Sequence, residues 1–288
     1  MFTRLRDTNK ATVFTVLALA MALVAAMIIR ALGITSEFVA AALYTFTPAE
    51  AALIMLLIVT RDGFSREGWK VLGLHRLGLN VWWKAFVAAL LVSLVATAMV
   101  WATPLASVVV PEDGVGGRLI GFVIQVVLFT FTLALGEEIG WRGYLLPMLF
   151  SVGWTRALIL VGLIHAAWHM PMIFLTPLYH SAGNRLIVLP LFVGTIVAAS
   201  FFLGYLRIYT GSVWPASIGH SVHNAAWGTL AAFTATSSPV VVNEYLAGDN
   251  GILILVGTVI AAIWVRRRLG KEPTLPRPSD TSGEAPAV

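Results

Sequence analysis

The chain has 288 residues, of which 58% are hydrophobic and only 11% charged, with a net charge of +5. A soluble domain carries roughly 25% charged residues, so this composition, with a mean hydropathy of +0.86, excludes an ordinary water-soluble globular fold. The absence of cysteine removes disulfides, thiol catalysis and thiolate metal sites.

The apolar residues fall in blocks about 20 long, the length a helix needs to cross a bilayer. In chain order they predict eight spans, at roughly 11–32, 38–60, 81–102, 117–139, 155–175, 186–207, 213–232 and 250–266. The first block follows Arg4, Arg6 and Lys10. It is longer than the apolar core of a signal peptide, about 7–15 residues, and so reads as a retained helix. The stretch 61–79, with Arg66, Lys70 and Arg76, reads as a short amphipathic helix on the membrane surface, and a second amphipathic piece is expected at 140–152. Trp82, Trp83, Trp101, Trp154 and Trp214 sit near block ends, where interfacial aromatic belts form. From Lys271 onward Pro, Ser, Thr and Glu dominate, so 271–288 is expected to be a disordered tail. The expected fold is therefore an all-α integral membrane protein, with a polytopic domain over 1–270, about eight transmembrane helices and short amphipathic interfacial helices. No internal repeat is visible.

Loop charges give an orientation. The N-terminus, 61–80, 140–156, Arg207 and Arg266 to Arg268 are basic, whereas the alternate loops carry Glu37, Glu112, Asp113, Glu244 and Asp249. Both termini are thus expected in the cytoplasm. The basic residues flank spans, so no nucleic-acid partner is needed to explain them, and no phosphate-binding glycine loop occurs in a strand–helix context.

Charge in a membrane interior costs at least about 2.5–3.5 kcal/mol per residue at a helix centre and marks function by default. The acidic residues within or ending predicted spans are Glu50, Glu137 and Glu138, and the histidines there are His165, His169 and His220, with His223 beside Asn224. Glu137 and Glu138 lie in Leu135-Gly-Glu-Glu-Ile-Gly-Trp-Arg-Gly143. Arg142 stands four residues after Glu138, one helical turn away, so that pair can form a salt bridge. Glu137 is rotated about 100° from it and has no cation at i+3 or i+4. A buried carboxylate lacking a cation is a stronger proton acceptor than one in water. His165 and His169, four apart, share a helix face and could share a metal, although the residue after His165 is Ala166 rather than the Glu of a zincin motif. His220 and Asn224 are likewise one turn apart, and such a pair can hold an oxyanion or orient water. Glu50 follows Pro48 and reads either as a relay group or as a cap for backbone groups freed by the proline.

Taken together, Glu137-Glu138-x-x-x-Arg142, His169 in Trp-His-Met-Pro, and His220-x-x-x-Asn224 preceded by Gly-Ser-Val-Trp-Pro resemble the CPBP (CAAX protease and bacteriocin-processing, or ABI) family of intramembrane proteases, which includes the type II CAAX prenyl endopeptidases. The resemblance covers roughly 120–230 and implies an eight-helix membrane core, with the protease core at about 117–232. It implies Glu137 as the base that activates water, with His169, His220 and Asn224 around the scissile carbonyl and Glu138 with Arg142 as a supporting pair. The family often has an aromatic residue four before its second-motif histidine; here that position is His165, which is expected to support the site. The cofactor stays open: none, or one divalent cation such as Zn²⁺ on Glu137, His169 and His220. The implied partners are a membrane-associated peptide or protein substrate and the bilayer. The short loops point to a prokaryotic plasma membrane, with the site toward the cytoplasm. The competing readings are a transporter built on a proton relay and a catalytically silent immunity or regulatory scaffold.

Overall fold

The structure, a computed structural model, describes residues 5–269. The tail expected at 271–288 lies outside the described residues. Helix α1 (Asp7–Ala31) buries Ala11, Phe14, Ala18, Ala22, Ala26 and Ile29. That spacing of three and four residues gives one face of small side chains, which lets the neighbouring helices approach closely. The second span is broken. Helix α2 (Glu37–Tyr44) starts at Ser36, whose side chain accepts from the Val39 amide. After Thr45 and Phe46, α3 (Thr47–Ile54) begins with Pro48 in its first turn and runs into a π-helical turn at Met55–Val59. Proline is tolerated there because the first-turn amides have no helical partner.

The segment expected to form an amphipathic surface helix at 61–79 contains only a 3₁₀ turn at Asp62–Phe64 and the short α4 (Arg66–Lys70). Helix α5 (Leu79–Trp101) follows, then the two-residue strand β1 (Ser107–Val108). Helix α6 (Gly114–Phe131) is separated from α7 (Leu133–Glu138) by Thr132, at φ −131° and ψ −96°. The chain then widens into a π-helical segment, Ile139–Leu145, and closes with α8 (Leu146–Met148). The amphipathic surface helix expected at 140–152 is therefore corrected. Gly140 to Leu145 are all buried, including Arg142, because this stretch continues the fourth span into the bundle.

The remaining long helices are α9 (Trp154–Leu175), α10 (Arg185–Thr210), α11 (Trp214–Ala232) and α12 (Ile252–Leu269), with strand β2 (Thr234–Ala235) pairing antiparallel to β1. Helix α10 ends where Gly211 adopts a left-handed conformation, φ 65°, which glycine takes without steric cost.

Six helical segments are long and apolar enough to span a membrane: Asp7–Ala31, Glu37–Val59, Leu79–Trp101, Gly114–Met148, Trp154–Leu175 and Arg185–Thr210. The chain is thus a multi-pass, all-helical membrane protein. Helices α11 and α12, expected as the seventh and eighth spans, do not join this set. The first carries Ser217, His220, Ser221, His223 and Asn224, and the second ends in Arg266 to Arg268.

Two large apolar clusters hold the bundle, beside a small third around Ala166, Ile173 and Phe192. One joins α1, α2, α3, the 141–150 stretch and α9; the other joins α5, α10, α11 and α12. Arg207 of α10 is fully buried and bridges them to one end of the bundle. It donates to the carbonyls of Arg142 (3.1 Å) and Val71 (2.7 Å). At the other end, the 176–184 loop meets the segment before α12, where His180 Nδ1 lies 2.7 Å from Glu244 and Tyr179 donates to Asp249 at 3.0 Å.

Candidate active site

Helices α7, α9 and α11 bring the chemistry-bearing residues together. Helix α7 is pressed against the break between α2 and α3. A side-chain carbon on Gly136 would come within 2.9 Å of the Phe46 ring, and one on Gly140 within 2.3 Å of Pro48 Cβ. Only glycine allows this approach, and it sets the depth at which Glu137 and Glu138 enter the bundle.

The two glutamates diverge as their spacing requires. Glu138 is fully buried and accepts from Arg142 Nη1 at 2.8 Å, the i,i+4 pair. The same oxygen, Oε1, also accepts from His220 Nδ1 at 2.9 Å. Glu137 is buried beside it, and its Oε2 lies 3.0 Å from His165 Nε2. The resemblance assigns His169 to the scissile carbonyl and His165 to a supporting place, and the histidine that touches Glu137 is His165. His169 sits one turn further along α9, its ring 5.2 Å from that of His165 and 5.4 Å from Tyr179. The His220 ring lies 6.3 Å from His165.

These groups line a cavity of about 100 Å³. Glu137, Arg142, His165, His169, His220, His223 and Asn224 all border it, and Tyr179, Asp249 and Asn250 join them from the 176–184 loop and the approach to α12. Tyr179 and Asn250 were not singled out in the sequence, and Asp249 entered only as a loop charge; the cue was a polar pair just ahead of the last apolar block. Burial pushes the Tyr179 phenol well above its usual range, and the adjacent Asp249 charge adds to this. Glu50, by contrast, is exposed in the first turn of α3 and borders no part of the cavity. A carboxylate at that position complements the partial positive charge of the helix N-terminus.

Behind the site, Thr47 accepts from Trp168 Nε1 at 2.9 Å and donates to the Tyr44 carbonyl at 2.8 Å, while the Tyr44 hydroxyl donates to the Trp168 carbonyl. These bonds fix α9 against the broken second span, one residue before His169.

Glu137, His165 and His169 present donor atoms within 4.8 Å of one another, the one group of this kind among the described residues. This differs from the set expected for a cation, which had His220 in place of His165; His220 Nδ1 is taken by Glu138. The fit to a resident zinc is poor. Ligand bonds of about 2.0–2.2 Å require the three donors to draw together. A zinc-bound imidazole also ordinarily donates from its second nitrogen, and the buried Nδ1 of His165 has no partner.

A multi-pass helical membrane protein with paired buried glutamates, one free of any guanidinium and set among imidazoles, is the class that the fold and the cavity define. Residues 119–226 match the family model for type II CAAX prenyl endopeptidases, Rce1-like. The matched stretch contains all three motifs that carry the resemblance to this family. No curated protein matches it.

Proposed function

We propose that the chain is an intramembrane endopeptidase in which Glu137 activates the attacking water. The observation that carries this reading is the unequal treatment of the two carboxylates. Glu138 forms a salt bridge with Arg142, while Glu137 forms none with a guanidinium, lies against the His165 imidazole and borders the cavity. General-base catalysis requires such a carboxylate, buried but not committed to a cation.

Glu137 takes one proton from a water held in the cavity, and the resulting hydroxide attacks the carbonyl carbon of a peptide bond. Asn224 Nδ2 and His220 stabilise the oxyanion. His220 donates from Nε2 as a doubly protonated ring, with its Nδ1 held on Glu138, and its charge faces the oxyanion that forms. As the C–N bond breaks, Glu137 returns its proton to the leaving nitrogen, with His169 orienting that group. The products are a carboxylic acid and an amine, which exchange a proton to leave as carboxylate and ammonium, and no metal enters any step. Glu138 and Arg142 act by holding His220.

We place the catalytic core at 117–232 and the substrate in the bilayer or at its surface, as a peptide or protein reached from the membrane. The basic loops support a cytoplasmic position for both termini and for the end of the bundle carrying Arg207.

The decisive experiment compares the membrane proteomes of cells carrying the wild-type chain and Glu137→Ala. The expected result is a membrane-proximal cleavage present in the first and absent in the second. If Glu137→Gln supports the cellular role as well as wild type does, the chain acts as a transporter or scaffold instead.

A further inference from the structure

His165 occupies the place where the family pattern commonly has an aromatic residue, and the structure gives it a partner that an aromatic hydrocarbon could not have. Its Nε2 is 3.0 Å from Glu137 Oε2, and its side chain is almost completely buried. The ring lies in a stack. Trp141 is on one side, with centroids 5.1 Å apart and planes inclined by 28°, and His169 is another near-parallel neighbour, at 5.2 Å and 26°. Trp168 closes against it at 5.8 Å. The packing preserves what an aromatic residue would do here, while the ring edge meets the carboxylate.

We infer that His165 is a positioning residue for Glu137. It donates from Nε2 to Oε2, fixes the carboxylate rotamer and leaves Oε1 to receive the water proton. The geometry specifies a tautomer. With Nε2 donating, and with Nδ1 buried and unpartnered, the neutral ring carries its proton on Nε2. A carboxylate held by one strong hydrogen bond presents a single defined oxygen to the substrate, whereas a free carboxylate rotates and offers either. His165 thus acts through Glu137 and touches neither the scissile bond nor the leaving group. This role rests on Glu137 being the base, but the hydrogen bond itself does not, so the two can be tested apart.

The test uses the full chain in detergent micelles with ¹⁵N-labelled histidine. The His165 ring signals are assigned by their loss in His165→Phe, which keeps an aromatic ring in the stack. The expected spectrum shows His165 as the Nε2–H tautomer with a slowly exchanging ring proton, and Glu137→Ala shifts that signal and speeds its exchange. An Nδ1–H tautomer, or a signal indifferent to Glu137→Ala, overturns the proposal whether or not the protein is a protease. The second arm follows cleavage of an internally quenched peptide with a prenylated CAAX terminus by chain reconstituted in phosphatidylcholine vesicles. His165→Phe lowers kcat by roughly 10²-fold, the loss typical of a catalytic group misplaced by about 1 Å, with KM unchanged. A rise in KM alone, or an unaltered kcat, also overturns the positioning role. If wild type leaves this peptide uncut, a prenylated CAAX substrate is ruled out, and the spectroscopic arm still decides the role of His165.

Discussion

Replacing Gly140 by alanine tests whether the close seating of α7 against α3 sets the site. The new Cβ would stand 2.3 Å from Pro48 Cβ and 2.8 Å from both the Pro48 carbonyl carbon and oxygen. Carbon atoms in contact sit about 3.5–4.0 Å apart, so the π-helical segment must withdraw from α3 by about 1.2 Å. Pro48 cannot yield by a rotamer change, because the clash involves its ring and backbone. Overpacking of this kind costs about 1–3 kcal/mol, and a rigid neighbour puts Gly140→Ala at the upper end. Glu137 lies less than one turn earlier and moves with the segment, and a shift near 1 Å at a reacting group costs roughly 10²-fold in rate. The assay pairs thermal unfolding in micelles with cleavage of the quenched prenylated peptide in vesicles. Gly228→Ala is the control, since a Cβ there meets no atom within 4 Å, and it leaves both readouts unchanged. If Gly140→Ala matches this control in both stability and rate, the seating of α7 is not what fixes the base.

Arg142→Leu leaves the buried Glu138 without its guanidinium, with only His220 as a partner, and destabilises the protein by about 3 kcal/mol, while Glu138→Leu with Arg142→Leu recovers most of the loss; a double-mutant cycle in chemical unfolding reads this. Burial tends to push the His180 imidazole down, but its hydrogen bond to Glu244 and the charges of Asp249 and Glu244 outweigh this and raise it above its ordinary value. The stabilisation from charged His180 is therefore complete below about pH 6.5 and is lost as pH rises through the higher folded value. Melting curves from pH 6 to 9 should show a decline in wild type that is absent from His180→Gln. Prolonged EDTA treatment leaves cleavage intact; if activity disappears and returns with one zinc per chain, a metal-based mechanism replaces the one proposed.

Much of this site is local in sequence, and that part was readable. The Glu138–Arg142 bridge follows from a four-residue spacing on one helix, and the separation of Glu137 from it follows from helical rotation. Contacts between helices were not readable. His165 and Glu137 lie on different helices, and nothing in either motif states which histidine of the α9 pair faces the carboxylate. The break at Thr132 carries neither glycine nor proline, so the fourth span showed no sign of being interrupted. The stretch after it resembled a surface helix because Arg142 looks polar on its own, although Glu138 satisfies it within the bundle. The seventh span stands out least in hydropathy for a related reason: the side chains of α11 that border the cavity are the same ones that make it less apolar.

The i,i+4 bridge has a consequence for how the chain enters a membrane during synthesis. A lone charge at bilayer depth costs at least about 2.5–3.5 kcal/mol, and α7 is made before α9 and α11 supply His165 and His220. Glu138 and Arg142 neutralise each other within one segment, so the translocation machinery receives them as a closed pair with no need of a helix not yet made. Glu137 has no such companion until α9 follows. The segment thus carries one carboxylate, not three separate charges, through the interval before its neighbours arrive, and the residue that bears that delay is the one assigned here as the base.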